Sequence, residues 1–193
     1  MKLVQQFLLK FYNDTHSRRL IFGINPGRLG AGITGVNFTA PRQLTTHCNI
    51  EHSFGNQNEL SAEFIYEIIE QYGGCSAFYR HWFIGSVCPL GFVKNGKNLN
   101  YYDDNELLAL IEPFIIESMQ QLLRLNFKTD YCLCLGGAKN YYFLRHLNEK
   151  YQWFQNIIAL PHPRFVMQYK RKEKQDYIQL YLSALNYNKA DNF

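Results

Sequence analysis

The residues best suited to chemistry lie in the stretch Gly23-Ile24-Asn25-Pro26-Gly27-Arg28-Leu29-Gly30-Ala31-Gly32-Ile33-Thr34-Gly35-Val36-Asn37-Phe38, which follows the apolar run Leu20-Ile21-Phe22 and turns abruptly rich in glycine. At the carboxyl end of a strand in an open parallel sheet, such a loop builds a ligand site. Its glycines let the backbone approach a ligand and adopt dihedrals closed to other residues. Asn25 offers an amide, which cannot act as a general base near neutral pH, so any catalysis through it must come from positioning and electrostatics. Taken alone, Asn25-Pro26-Gly27 is also an ordinary strand-to-loop turn. The spacing Gly27-x-x-Gly30-x-Gly32 does not fit a dinucleotide fingerprint, and no Gly-Lys-Ser/Thr follows to make a phosphate loop. His162, in Pro161-His162-Pro163-Arg164, can donate a hydrogen bond to developing negative charge or cap backbone groups of its loop. Lys170, Arg171, Lys172 and Lys174 suit an anionic partner, and equally a solvated helix face. His47, Cys48 and His52 have metal-ligand chemistry, but three such residues in a polar loop are more often incidental, and no metal is expected.

Placing these residues together requires strands that end at each of them. Val4, Phe7, Leu8 and Phe11 share a face of an opening helix that Asn13-Asp14 ends. Arg18 to Ile24 reads as a first strand, and Asn37 to Leu60 as a long irregular loop, which suggests a lid or binding surface. Ser61 is the expected N-cap of a helix from Ala62 to Tyr72, stopped by Gly73-Gly74. Trp82 to Val87 forms a second strand that leaves through Cys88-Pro89-Leu90-Gly91. A polar segment, Lys94 to Tyr102, precedes a helix from Asp104 to Leu125 with a break or early turn at Pro113. Asp130 to Leu135 is a third strand, Ala138 to Lys150 a helix, and Asn156 to Leu160 a fourth strand ending at the His162 loop. A last helix, Lys172 to Leu185, packs through Tyr177, Ile178, Leu180, Tyr181 and Leu185. Strands alternating with helices imply right-handed crossovers and an α/β three-layer αβα fold with a small, mostly parallel four-stranded sheet.

With 193 residues, 47% of them hydrophobic, and no Pro/Gly/Ser-rich linker, the chain is expected to form one domain over residues 1–193. Five cysteines without a C-x-x-C pair argue against a disulfide framework and for the cytoplasm. Cys132 and Cys134 alternate with leucines, as on a buried strand. No segment approaches the roughly 18 consecutive apolar residues of a membrane span, and the first twelve residues do not read as a signal peptide.

The pattern Asn-Pro-Gly-x-x-Gly-x-x-x-Thr-Gly-Val-x-Phe resembles, without a gap, the first motif of the single-strand-selective monofunctional (SMUG) branch of the uracil-DNA glycosylases. Cys88-Pro89-Leu90 with Gly96-Lys97-Asn98-Leu99, and then Pro161-His162-Pro163-Arg164, follow in the same order, so the resemblance covers about Arg18 to Lys174. It implies hydrolysis of the bond between uracil or a related damaged base and its sugar in DNA, by a monomer with no cofactor. Asn25 would hold the water, and His162 would donate to uracil O2. Phe38 would stack on the flipped base, or else pack as one of 15 phenylalanines in the core under the loop, with Gly27 and Gly35 supplying backbone donors and room, or serving as turn glycines. Arg164 and Phe165, with Val166, Met167 and Gln168, would enter the duplex, unless Phe165 to Tyr169 simply docks the last helix, and Lys170, Arg171 and Lys172 would hold phosphates.

The sequence departs from the family at two places. The third motif usually reads His-Pro-Ser-Pro-Arg. An ungapped alignment puts Leu160 at its histidine; pairing the His-Pro dipeptides instead needs a two-residue deletion before Arg164, and is preferred because Leu160 has no chemistry to offer. In Asn-x-Cys-Pro-Leu the Asn reads the uracil edge, whereas this chain has Ser86, whose hydroxyl cannot reproduce a bidentate amide. Two rivals remain open at this point. One is a hydrolase of free nucleosides or nucleotides, which would not need the basic segment after Arg164. The other is a silent nucleic-acid-binding homologue, which the two departures favour.

Overall fold

The computed structural model describes residues 2–186; Met1 and residues 187–193, the ends of the expected 1–193 domain, lie outside the described residues. Four strands, β1 (Arg19–Gly23), β2 (Trp82–Ser86), β5 (Tyr131–Leu135) and β6 (Asn156–Leu160), form one sheet in the order β2-β1-β5-β6. Every pairing in it is parallel. The central strand β5 is buried at all positions, as expected of a parallel strand covered on both faces.

Alternation along the strands divides the core. Ile21, Ile84, Leu133 and Leu135 face one cluster with Phe7, Phe64, Val166 and Ile178. Leu20, Phe22, Cys132 and Cys134 face the other, with Ile111, Ile115, Met119 and Leu144. The first layer is thus made by α1 (Lys2–Phe11), α4 (Leu60–Tyr72), α5 (Gly74–His81), α8 (Pro163–Tyr169) and α9 (Lys174–Leu185), and the second by α6 (Asn105–Leu123) and α7 (Gly137–Tyr151). All five cysteines are free and buried, Cys132 and Cys134 among them as core side chains.

Several local expectations change. Leu8 is exposed, and Leu3 takes its place beside Val4, Phe7 and Phe11. The loop after residue 37 contains a short helix, α3 (Pro41–Thr46), behind another, α2 (Ala31–Thr34). The cap of α4 is Glu59 rather than Ser61: its carboxylate accepts from the Ala62 N–H at 3.1 Å, which starts the helix earlier. Past Gly73 the chain re-enters a helix, α5, instead of running directly to β2.

The segment expected to be merely polar is an antiparallel hairpin, β3 (Phe92–Lys94) and β4 (Lys97–Leu99). Asn95 and Gly96 both have positive φ, 52° and 72°, the conformation that an Asn-Gly hairpin turn demands. Pro113 lies inside α6 without ending it; Pro113 and Ala109 are on the solvent face, where the carbonyl that loses its helical donor is not desolvated. Leu180 is exposed, and Leu182 packs in its stead.

Candidate active site

In the β1–β2 register Gly23 lies opposite Ser86, and in β5–β6 Leu135 lies opposite Leu160, so the loops leaving these strands share one rim of the sheet. Between them is an open cavity of about 710 Å³ whose lining includes Asn25, Gly27, Phe38, Ser86, His162 and Arg164. That size is typical of small-ligand sites.

The first loop is fixed from within. The buried Thr34 hydroxyl donates to the Thr39 carbonyl at 2.6 Å and accepts from the Val36 N–H at 3.1 Å. Gly35, at φ 73°, caps α2 in the left-handed region, and a Cβ there would run into Val4 Cγ2 of α1. Its N–H is spent on the Ala31 carbonyl at 2.8 Å and it does not line the cavity, so the expected backbone donor is not presented there. Phe38 also has positive φ, 51°, which is costly for an aromatic residue. Its ring edge lies over Gly23, where a Cβ would come within 2.7 Å, and its centroid is 5.8 Å from that of His162.

Asn25 is held by the chain that leaves the hairpin. Its Nδ2 donates to the Leu99 carbonyl and its Oδ1 accepts from the Tyr101 N–H, both at 3.2 Å. One N–H and one lone pair of the amide are left over. The same hairpin ties down the next turn, where Asn98 Oδ1 accepts from the Arg28 N–H at 3.0 Å. Ser86 donates to Asn37 Oδ1 at 2.7 Å, and Asn37 Nδ2 donates to the Ile84 carbonyl at 3.4 Å.

His162 is the N-cap of α8: its Nδ1 accepts from the Arg164 N–H at 3.1 Å. An accepting Nδ1 leaves the ring proton on Nε2, so capping and donation are compatible in one tautomer. Burial, reinforced by the Arg164 charge, pushes its pKa down to about 4, which keeps the ring neutral at pH 7. The turn before it is pinned by the Tyr181 hydroxyl, which donates to the Pro161 carbonyl.

Residues 9–186 match the family model described as the Uracil DNA glycosylase superfamily. The chain belongs to this superfamily. The structure of wild-type SMUG2 from Pedobacter heparinus superposes with a TM-score of 0.93 at 47% sequence identity, covering 100% of this chain and 83% of that one. A comparison with curated proteins gave no match. This superfamily member is therefore SMUG-like, as its Asn25 motif suggests.

In this uracil-DNA glycosylase relative the segment after Arg164 is not a loop. It is α8, with Val166 and Met167 buried against the core, so they are not free to enter a duplex. Phe165 and Tyr169 are exposed and, with Arg164 and Gln168, line the cavity. Lys170, Arg171 and Lys172 do not line it; Lys170 is paired with Glu173 at 3.0 Å, while Arg171 and Lys172 are exposed on a 3-10 turn. The cavity's other cations, Arg28 and Lys97, were not evident from sequence, nor were Asn37 and Asn98. His47 bonds Glu70, His52 bonds the Pro41 carbonyl, and Cys48 contacts the Tyr66 hydroxyl. Among the described residues no helix is long and apolar enough to cross a membrane.

Proposed function

We propose that this protein is a monofunctional DNA N-glycosylase that hydrolyses the N-glycosidic bond of uracil or a related damaged base. It acts as a cytoplasmic monomer, in one domain and without a cofactor. The observation that carries this reading is the meeting of Asn25, Phe38 and His162 around one cavity. Bond breakage between C1′ and the base nitrogen leaves the electron pair on the base and positive charge on the sugar. The neutral His162 donates from Nε2 to the base O2 as negative charge develops, a preorganised interaction that stabilises the transition state. The uncommitted lone pair of Asn25 accepts from a water, whose oxygen then bonds C1′ and which loses its proton to solvent. Phe38 stacks on the base, with Gly27 giving it room and Ser86 helping to form the wall at its edge. Arg164, Phe165, Lys170, Arg171 and Lys172 meet the DNA, joined by Arg28 and Lys97 at the rim.

The direct test is base release, under single-turnover conditions, from oligonucleotides carrying uracil, hypoxanthine, xanthine or hydroxymethyluracil. Asn25→Ala should slow release by at least roughly 10²-fold while DNA affinity is kept, the pattern of an interaction made in the transition state. Release at the parent rate would remove Asn25 from the mechanism. One observation favours a second reading, a homologue that binds nucleic acid without excising a base: half of the Asn25 amide is already committed to the hairpin. Salt-dependent DNA binding with no base released from any of the four substrates would decide for it.

A further inference from the structure

Ser86 stands where the family pattern has the asparagine that reads the base, and its hydroxyl proton is spent on Asn37 at 2.7 Å, so it has no donor left to offer a base. An amide therefore does stand at this wall of the cavity, delivered from the β1 loop rather than from the end of β2. We propose that Asn37 reads the edge of the base, with its amide orientation set by Ser86 and the Ile84 carbonyl. The inference rests on the cavity being a base pocket.

The orientation follows from what each partner can do. A hydroxyl donates or accepts, so Ser86 alone would tolerate either end of the Asn37 amide. The Ile84 carbonyl only accepts. Nδ2 must then face Ile84, and Oδ1 is left to receive the Ser86 proton; a flipped amide would set two oxygens against each other. Both partners come from one strand, two residues apart on β2. With one N–H and one acceptor site spent, one of each remains. Uracil presents a donor, N3–H, beside an acceptor, O4, whereas cytosine presents the reverse order. An amide that cannot flip matches one order and rejects the other, so the Ser86–Asn37 pair restores the discrimination that a serine at position 86 alone would lose. Asn37 is the reading residue and Ser86 a positioning residue.

The test is equilibrium binding of oligonucleotides carrying 2′-fluoro-deoxyuridine or 2′-fluoro-deoxycytidine, which resist cleavage and so report edge reading apart from chemistry. The parent should favour uracil by roughly 10- to 100-fold, the scale of a good bidentate base contact. Asn37→Ala should bring the ratio to near unity, Ser86→Ala should lower it, and Ser86→Thr, which keeps the hydroxyl, should restore it. If Asn37→Ala does not fold, the Ser86→Ala and Ser86→Thr ratios decide. The inference is overturned if the parent binds both alike or prefers cytosine, if Asn37→Ala keeps the parent ratio, or if Ser86→Ala does. A parent that discriminates but releases no base would overturn the glycosylase reading and leave this inference standing.

Discussion

Along the wall that leaves β1 and β2, three amide side chains are bonded to other parts of the chain: Asn25 to Leu99 and Tyr101, Asn37 to Ser86 and Ile84, and Asn98 to the Arg28 backbone. The opposite wall, on α8, presents Arg164, Phe165, Gln168 and Tyr169 largely exposed. A transition state rewards groups that need no reorganisation when charge develops, and the first wall is built that way. A long, flexible polyanion rewards reach and adaptability, and the second wall supplies exposed rings and the Arg164 cation for it. His162 crosses the division. It sits at the start of α8, but its capping bond gives it the fixed geometry of the first wall.

Replacing His162 is accordingly the sharpest way to break the contrast within the α8 wall. His162→Ala should slow single-turnover base release by roughly 10²–10³, the scale set by removing one oxyanion donor, at unchanged DNA affinity. Release at the parent rate under saturating DNA would remove it from the mechanism. The same residue sets a pH signature. Its folded pKa, about 4, lies below the ordinary histidine value of 6.5, so between the two the unfolded chain binds a proton that the folded chain does not. Its contribution to stability is complete above 6.5 and is lost as pH falls toward 4. The release rate should show no inflection from His162 between about pH 5 and 8, where an ordinary histidine titrates. An inflection near 6.5 that vanishes in His162→Gln would mean a freely solvated ring rather than a half-buried donor.

The difference between the walls also explains what the sequence disclosed. The sheet was legible because β1 and β5 are continuous apolar runs between turns, and β6 was legible to its last residue. Asn25, Phe38 and His162 were legible as candidates because the Asn25 motif runs ungapped and His162 ends a clear strand. The bonds that hold them were not, since Leu99 and Tyr101 act on Asn25 through backbone atoms that any residue type would supply. Asn37 sat at a variable position of the motif, and only its bond with Ser86 distinguishes it. The hairpin had a readable signal in Asn95-Gly96, masked because its strands are only three residues each. Val166 and Met167 show the opposite error: a stretch that reads as a wedge is helical because Pro163 and the His162 cap start a helix there.

On the adaptable wall the expected effects fall on binding. Phe165 and Tyr169 are one turn apart on α8, with ring centroids 5.7 Å from each other, a ledge on which unstacked bases can rest. Alanine at either should weaken binding of uracil-bearing single strands by about 1–3 kcal/mol, the usual value of a base–aromatic contact. Release from saturated complexes should stay near the parent rate. A fall in that rate with unchanged affinity would place these rings in the chemistry and erase the contrast between the walls.

The smallest effects belong to the cations beyond α8, and they divide by what each already touches. Lys170 spends its charge on Glu173, while Arg171 and Lys172 are exposed on the turn that follows. A cation that must leave an ion pair to reach a phosphate gains less from the exchange, although an exposed pair of this kind is itself worth at most about 1 kcal/mol. Removing one cation–phosphate interaction should flatten the dependence of log affinity on log salt by about 0.7 for a single strand and 0.9 for a duplex. Arg171→Gln and Lys172→Gln should each show that change, and Lys170→Gln a smaller one, measured by titration across a range of salt concentrations. Equal slopes for all three variants would mean that Glu173 releases Lys170 on binding. Unchanged slopes in all three would confine the electrostatic attraction to Arg28, Lys97 and Arg164, the cations that line the cavity itself.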